Sequence, residues 1–400
     1  MDIICFANDW DWDPLSKKHI MRGLAGRGAR VLWVNSLGNR SPRLGDAKDW
    51  RRAAGKLRRF ALAEMRGPRL VQRGIWVLDP IAVPAYGSGW AAYANRVIIG
   101  SQVRAAARSL GFSQPVHYSF VPASAWVAGR LGERLLVYHA VDEHGAFEGA
   151  NADAIAKLEA NLLEHADLYI ACSEPLMSAH APQARRALLV RHGVDYAHFA
   201  TTLQSSLPIA SELANVSRPI LGFVGLIAEW IDSDVLWRLG DALEAQGHGT
   251  VVLVGEAHGI DPRDLKRLSE HPRVLLLGRK PYERLPSYLR GFDVALLPFV
   301  INSLTIHSNP LKLREYVAAG LPVIASDLAE VRALAETIGK SASDAITIAD
   351  DPSDFIIKAM SVAKSNERGP REARSLAVKS EAWEMKVVEI ENALANAMQA

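Results

Sequence analysis

At 400 residues the chain is too long for a single core of ordinary size, and with 49% hydrophobic and 22% charged residues it has the composition of a folded globular protein, not of a disordered tail. No run reaches the roughly 18 apolar residues of a membrane span. A net charge of only +2, with no recognisable binding motif, argues against nucleic acid as a partner.

The sequence opens on an apolar strand pattern, IICFA, with no basic leader ahead of it, so a cytoplasmic location is expected. Short apolar runs then alternate with helical patterns, which predicts parallel sheets joined by crossover helices. In the first half the strands are expected at 3–7, 30–34, 75–78, 116–120, 135–139, 167–172 and 187–191, with helices at 17–25, 91–110 and 152–165. Cys5 and Cys172 fall in two of these strands, offer no zinc spacing, and read as buried thiols. Residues 201–217 are polar, precede Pro219 and read as a linker. A second series of strands is expected at 220–224, 250–254, 274–277, 294–298, 323–326 and 345–348. The chain closes on a helix in which Trp383, Val387, Ile390 and Leu394 line one face. The fold class is α/β, with two doubly wound Rossmann-like domains at 1–200 and 218–378 and a last helical segment at 379–400.

Charge is divided unevenly. Residues 1–200 hold 25 Lys+Arg against 18 Asp+Glu, and residues 201–400 hold 21 against 26. Much of the basic surplus lies in Arg40 to Arg73, where Trp50, Leu57 and Phe60 interleave with the charges. Such a segment suits an anionic membrane surface or a phosphorylated acceptor, and equally an ordinary solvated helix.

The best-specified helix lies within Asn302 to Asp327. Asn309 reads as its N-cap and Pro310 as its first residue, with Gly320 and Pro322 ending it. Lys312 then sits in the first turn, where a cation opposes the helix dipole, and Glu315 follows on the same face. That placement suggests an anion, phosphate above all, at the helix N-terminus.

Several motifs in order give the second half a family resemblance. They are ADLYIACSEPL from Ala166, HGVD from His192 with Phe199 after it, GFVGLIAEW from Gly222, LGRKPYERLPSYLRGFDVALLPF from Leu277, and NPLKLREYVAAGLPVIASD from Asn309. Together they resemble the GT-B glycosyltransferases of family 4, or group 1. The sequences NDWDWDP and VYHAVDEHGAF are similar to a subgroup that includes teichuronic-acid and exopolysaccharide transferases. The resemblance implies the GT-B fold, with two Rossmann-like domains facing a cleft and the C-terminal helix crossing back to the first. It also implies a metal-independent transferase, without a bound cofactor, that takes a UDP-linked nucleotide sugar as donor and a saccharide acceptor, lipid-linked or part of a surface polysaccharide. The donor residues it implies are Gly225, Arg279, Tyr282, His307, Ser308, Asn309, Pro310, Leu311, Lys312 and Glu315. Among these Glu315 would take the ribose hydroxyls and Lys312 the pyrophosphate. His307 stands where the family pattern has a carboxylate, so the usual contact to the donor sugar is altered. A non-hydrolysing sugar-nucleotide epimerase and a silent binding protein are the competing readings.

Glycosyl transfer needs a base for the acceptor hydroxyl. Asp142, Glu143 and His144 follow a strand end, where α/β folds place ligands, and Asp142 is the first choice among them. The loop from Asn8 to Pro14, with Trp10 and Trp12 among its acids, reads as an acceptor-side loop. Asp13 and Lys17 there also fit an ordinary helix start.

Overall fold

The computed structural model describes residues 1–36, 67–82, 89–147, 149–365 and 370–399. The chain divides into two compact units. The first is Met1–Arg191 with Lys386–Ala400, and the second is His192–Met385.

The first unit is an eight-stranded sheet: β1 Asp2–Phe6, β2 Arg30–Val34, β3 Arg69–Gln72, β4 Ile75–Leu78, β5 Val116–Ser119, β6 Leu135–Ala140, β7 Leu168–Ala171 and β8 Ala187–Leu189. Their order is β3-β4-β2-β1-β5-β6-β7-β8. All pairings are parallel except β3 on β4, which is antiparallel. The strands flanking the centre are continuous apolar runs because both faces are covered, as parallel sheets require. Ile4, Phe6, Leu32 and Val34 pack on one face against Ile99 and Val103 of the helix Gly89–Ser109. The chain leaves β1 for β2 on one side and returns to β5 on the other. The sheet's direction therefore reverses between β1 and β5, the place where ligands enter such folds.

Two buried acids tighten this unit. Glu133 takes the N–H groups of Gly129 and Leu131 at 2.6 and 2.8 Å and pairs with His117 at 3.4 Å. Burial alone would push its carboxyl up, but the His117 contact, with the backbone amides of Glu133 itself and Leu131, brings it down to about 2. A depressed carboxylate stabilises the fold above its ordinary value of 4.5, and the effect fades as the pH falls toward about 2. Glu133→Gln should thus cost on the order of 1–3 kcal/mol at pH 7, and less with each step of acidification. Urea unfolding of both proteins from pH 7 to pH 2 tests this, and a constant difference refutes it. The other acid, Glu159, accepts from the Tyr138 hydroxyl beneath β6.

The second unit is a six-stranded parallel sheet: β9 Ile220–Val224, β10 Thr250–Val254, β11 Val274–Leu276, β12 Val294–Leu297, β13 Val323–Ser326 and β14 Ile346–Ala349. The order is β11-β10-β9-β12-β13-β14, so the reversal lies between β9 and β12. Alternate residues build two cores. Ile220, Val224, Val252 and Val254 face one, and Leu221, Phe223, Val251 and Leu253 face the other.

Residues 201–217, expected as a linker, lie in this second unit and pack there. The Thr202 hydroxyl donates to the Ala319 carbonyl at 2.9 Å, the Ala210 amide donates to Ser287 O at 3.1 Å, and Leu213 is buried. The last helix, Trp383–Gln399, starts in the second unit, where Trp383 packs over Gly193, and ends in the first. There Val387 fills the space above Gly23, and Glu391 pairs with Arg27 at 2.5 Å. No helix among the described residues is long and apolar enough to cross a membrane. Of Arg40 to Arg73, residues 40–66 lie outside the described residues.

Candidate active site

In the second unit the chain leaves β9 through Gly225 and reaches the helix Leu311–Ala318 after β12, so both flank the reversal point. Tyr316 ties them together. Its hydroxyl donates to Val224 O at 3.0 Å and accepts the Val224 N–H at 2.7 Å, fixing the helix against the strand end. Burial raises this phenol well above its ordinary range, so it keeps the proton it donates. One turn back, Lys312 donates to Glu315 Oε2 at 2.7 Å. Glu315 is only 8% exposed. No described residue bonds its Oε1, so this oxygen keeps its capacity to accept hydrogen bonds.

Asn309 and Pro310 differ from the expectation. The helix starts at Leu311, with Pro310 at the cap position and no side-chain cap. Asn309 does not cap because its amide group is engaged elsewhere: Oδ1 accepts from Arg314 at 2.7 Å and Nδ2 donates to Glu330 at 3.2 Å. Arg314, itself buried, also reaches Glu381 at 3.3 Å. Pro310 has no N–H to offer, so the first-turn donors of the helix are Leu311 and Lys312. Arg314, Tyr316 and Glu330 thus hold the segment in place. The sequence hints at none of these roles except by the density of polar residues on a helix whose neighbours are apolar.

The remaining donor-side candidates lie around this centre. Gly225 donates its N–H to Val254 O at 3.0 Å, and Gly255 passes so close that a Cβ there would lie 1.7 Å from the Gly225 oxygen. Arg279 is exposed, just past β11. Tyr282 stacks on His198 at 4.5 Å between ring centres and meets Phe199 edge-on, so its ring packs the start of the second unit. His307 donates Nδ1–H to Ser303 O at 2.8 Å, because a carbonyl can only accept. Its Nε2 is then the acceptor in the neutral ring. Ser308 donates its hydroxyl to Thr305 O at 2.8 Å.

In the first unit, Asp142 and His144, beyond the end of β6, lie within reach of the charge of Lys17, which the sequence offers only as part of a helix start. His144 Nε2 donates to Phe120 O at 3.0 Å, which fixes the tautomer. Burial, then the Lys17 charge, lowers this imidazole to about 4, so at neutral pH it is uncharged. Burial raises the Asp142 carboxyl against the opposing pull of Lys17, while the residue keeps part of its surface accessible. Glu143 lies 3.8 Å from His180 Nε2 and is paired there. Trp10 is not an open stacking surface. It is 7% exposed, meets Trp33 edge-on at 5.1 Å and donates its amide N–H to Asn35 Oδ1 at 2.8 Å, whereas Trp12 is exposed.

Asp241, Glu244 and His271 also cluster. However, His271 Nδ1 accepts the Arg273 N–H at 3.0 Å, so Nε2 carries the proton toward Asp241 at 3.1 Å. With both ring nitrogens used, the cluster is a hydrogen-bonded support and has no imidazole lone pair for a metal.

Two Rossmann-like units with switch-point sites on each define the GT-B fold, and comparison with known structures agrees. Sucrose-phosphate synthase from Thermosynechococcus elongatus has a TM-score of 0.65 and 19% identity, covering 99% of this chain and 98% of its own. HepE from Anabaena in complex with UDP-glucose has a TM-score of 0.66 and 15% identity, covering 99% and 100%. More particularly, residues 218–365, within the second unit, match the family described as Glycosyl transferases group 1. TuaH of Bacillus subtilis strain 168, named as a teichuronic acid biosynthesis glycosyltransferase, is 25% identical over 179 residues. That match spans 44% of each chain, less than half of the relative's length.

Proposed function

We propose that the protein transfers a glycosyl group from a UDP-linked sugar to a saccharide acceptor that is lipid-linked or part of a surface polysaccharide. The observation that carries this reading is the Tyr316 clamp on Val224, which sets the Lys312–Glu315 pair beside the glycine turn within the family-matched segment. Glu315 takes the ribose hydroxyls through Oε1, and Lys312, with the first-turn amides, offsets charge on the departing diphosphate. His307, its Nδ1–H held by Ser303 O, stands where a carboxylate is usual. In the first unit Asp142 accepts the proton of the attacking hydroxyl, a role that fits direct displacement and inversion at the anomeric carbon. In this reading Lys312 and the first-turn amides offset the diphosphate charge, and the transfer is metal-independent. Solved neighbours bound to UDP and UDP-glucose support the donor class, and the name of the Bacillus relative supports the acceptor class. Interleaved basic and aromatic residues support a peripheral membrane role for Arg40 to Arg73.

Calorimetric titration with UDP tests the donor site. Glu315→Gln and Lys312→Met should each weaken binding by about 10- to 100-fold, the value of a hydrogen bond to a charged group. Unchanged UDP affinity in both removes the assignment.

A further inference from the structure

The helix Ser16–Gly26 begins where β1 delivers the chain to the carboxyl edge of the first sheet, and its start is built against the usual rules. Leu15 stands at the cap with no side-chain hydrogen bond, no acid lies in the first turn, and Ser16, Lys17 and Lys18 are all buried there. Two buried cations at the positive end of a helix dipole are unfavourable unless an anion joins them.

The two lysines have different fates. Lys18 is accounted for: its ammonium donates to the Trp12 carbonyl and lies 5.0 Å from the centre of the Trp10 ring. Lys17 is only 8% exposed, and among the described residues no hydrogen bond or ion pair reaches its ammonium. Helical side chains lean toward the N-terminus, and the Lys17 charge is felt by Cys5, Asp142, His144 and Cys172, in or just beyond the strands at whose carboxyl edge this uncapped turn begins. Asp142 is the carboxylate that acts on it most strongly, without forming an ion pair. Burial pulls the ammonium below its ordinary value, as befits a cation that lacks a partner. The first helical amides, those of Ser16 and Lys17, have no acceptor among the described residues.

We propose that the Lys17 ammonium and the amides of Ser16 and Lys17 form an anion subsite in the first unit that holds a phosphoryl group carried by the acceptor. The inference rests on the transferase reading, and it adds the acceptor's chemical class: a phosphorylated saccharide or saccharide lipid. Binding there sets the acceptor beside Asp142 and replaces the carboxylate's weak hold on Lys17 with a dianion, which makes Asp142 the stronger base. Lys17 acts as a binding and positioning residue; no bond is made or broken on it.

The test titrates the full chain, saturated with UDP, with inorganic pyrophosphate, farnesyl diphosphate, farnesol and glucuronate. One equivalent of each diphosphate should bind, and farnesol and glucuronate should not. Tighter binding of farnesyl diphosphate assigns a lipid headgroup, and equal binding assigns a phosphate without the lipid. Lys17→Met should weaken diphosphate binding by about tenfold or more and keep the fold, because exchanging a buried charge for an apolar residue is often neutral. Ser16→Pro removes one amide at a position where proline fits, Leu15 being extended, and should weaken binding as well. Arg27→Met, at the other end of the helix, controls for net charge and should change nothing.

The idea fails if the UDP-saturated chain takes up no diphosphate, if neither Lys17→Met nor Ser16→Pro weakens it, or if glucuronate binds in its place. It fails too if Lys17→Met lowers UDP affinity by the same factor, since the subsite then belongs to the donor. A chain that binds no UDP at all overturns the donor reading alone. Pyrophosphate binding that is lost in Lys17→Met then still supports the subsite.

Discussion

Asp142→Asn is expected to lower the turnover of glycosyl transfer by about 10²- to 10⁴-fold while UDP affinity stays within a factor of about two, the pattern for loss of a general base that does not touch the donor. Each neighbour is disqualified by its own contacts. Glu143 is turned to His180, and a carboxylate already paired is a poor acceptor for a hydroxyl proton. His144 is uncharged and has an acceptor at Nδ1, but with its imidazole lowered to about 4 it is a weak base. Asp142 is partly accessible, and burial raises it above the ordinary carboxylate range, toward the operating pH. The acid limb of the pH–rate profile should accordingly lie above the value of an exposed Asp, with activity falling as the pH drops through it. His144→Gln should cost less than Asp142→Asn. If Asp142→Asn retains full activity, the base lies elsewhere.

Gly255→Ala is expected to destabilise the second unit by about 3 kcal/mol or more, lowering its melting temperature by roughly 6–12 °C. The added methyl carbon would lie 1.7 Å from the Gly225 oxygen, and that oxygen is backbone. It cannot swing aside, because the Gly225 N–H is bonded to Val254 O and the preceding Val224 is held at both ends by Tyr316. Gly278→Ala is the comparison. It meets open space but has φ +67°, so only the left-handed backbone penalty of about 1 kcal/mol applies. Differential scanning calorimetry of both variants decides the matter, and similar losses refute the steric account. A stable Gly255→Ala that no longer binds UDP would mean the turn had moved.

The parallel strands of both units were legible because strands covered on both faces are unbroken apolar runs. β3 was not, since Arg69-Leu70-Val71-Gln72 is an outer strand, largely exposed and paired only to β4. The Lys312–Glu315 pair could be read from spacing alone, being a local fact of one helix. Asn309 could not, because its partners are Arg314 and, twenty-one residues on, Glu330. Trp10 has the look of a stacking platform in sequence and is a wedge against Trp33 in the fold. Lys17 shows the limit most clearly. A lysine in a first turn ordinarily faces water, and its depth becomes evident only once β1, β5, β6 and β7 are laid side by side in that order.

The last helix carries a consequence for how such proteins can be recombined. Because Lys386–Ala400 belongs with Met1–Arg191, the first unit is discontinuous in the chain and the second is an insertion within it. A single crossover near residue 191 would join a foreign second unit to a body that has lost its own Val387 and Glu391, leaving the groove at Gly23 and the Arg27 side chain to an unmatched helix. Exchange of the second unit between relatives therefore requires two breakpoints, near 191 and near 385, so that the tail stays with the half it completes.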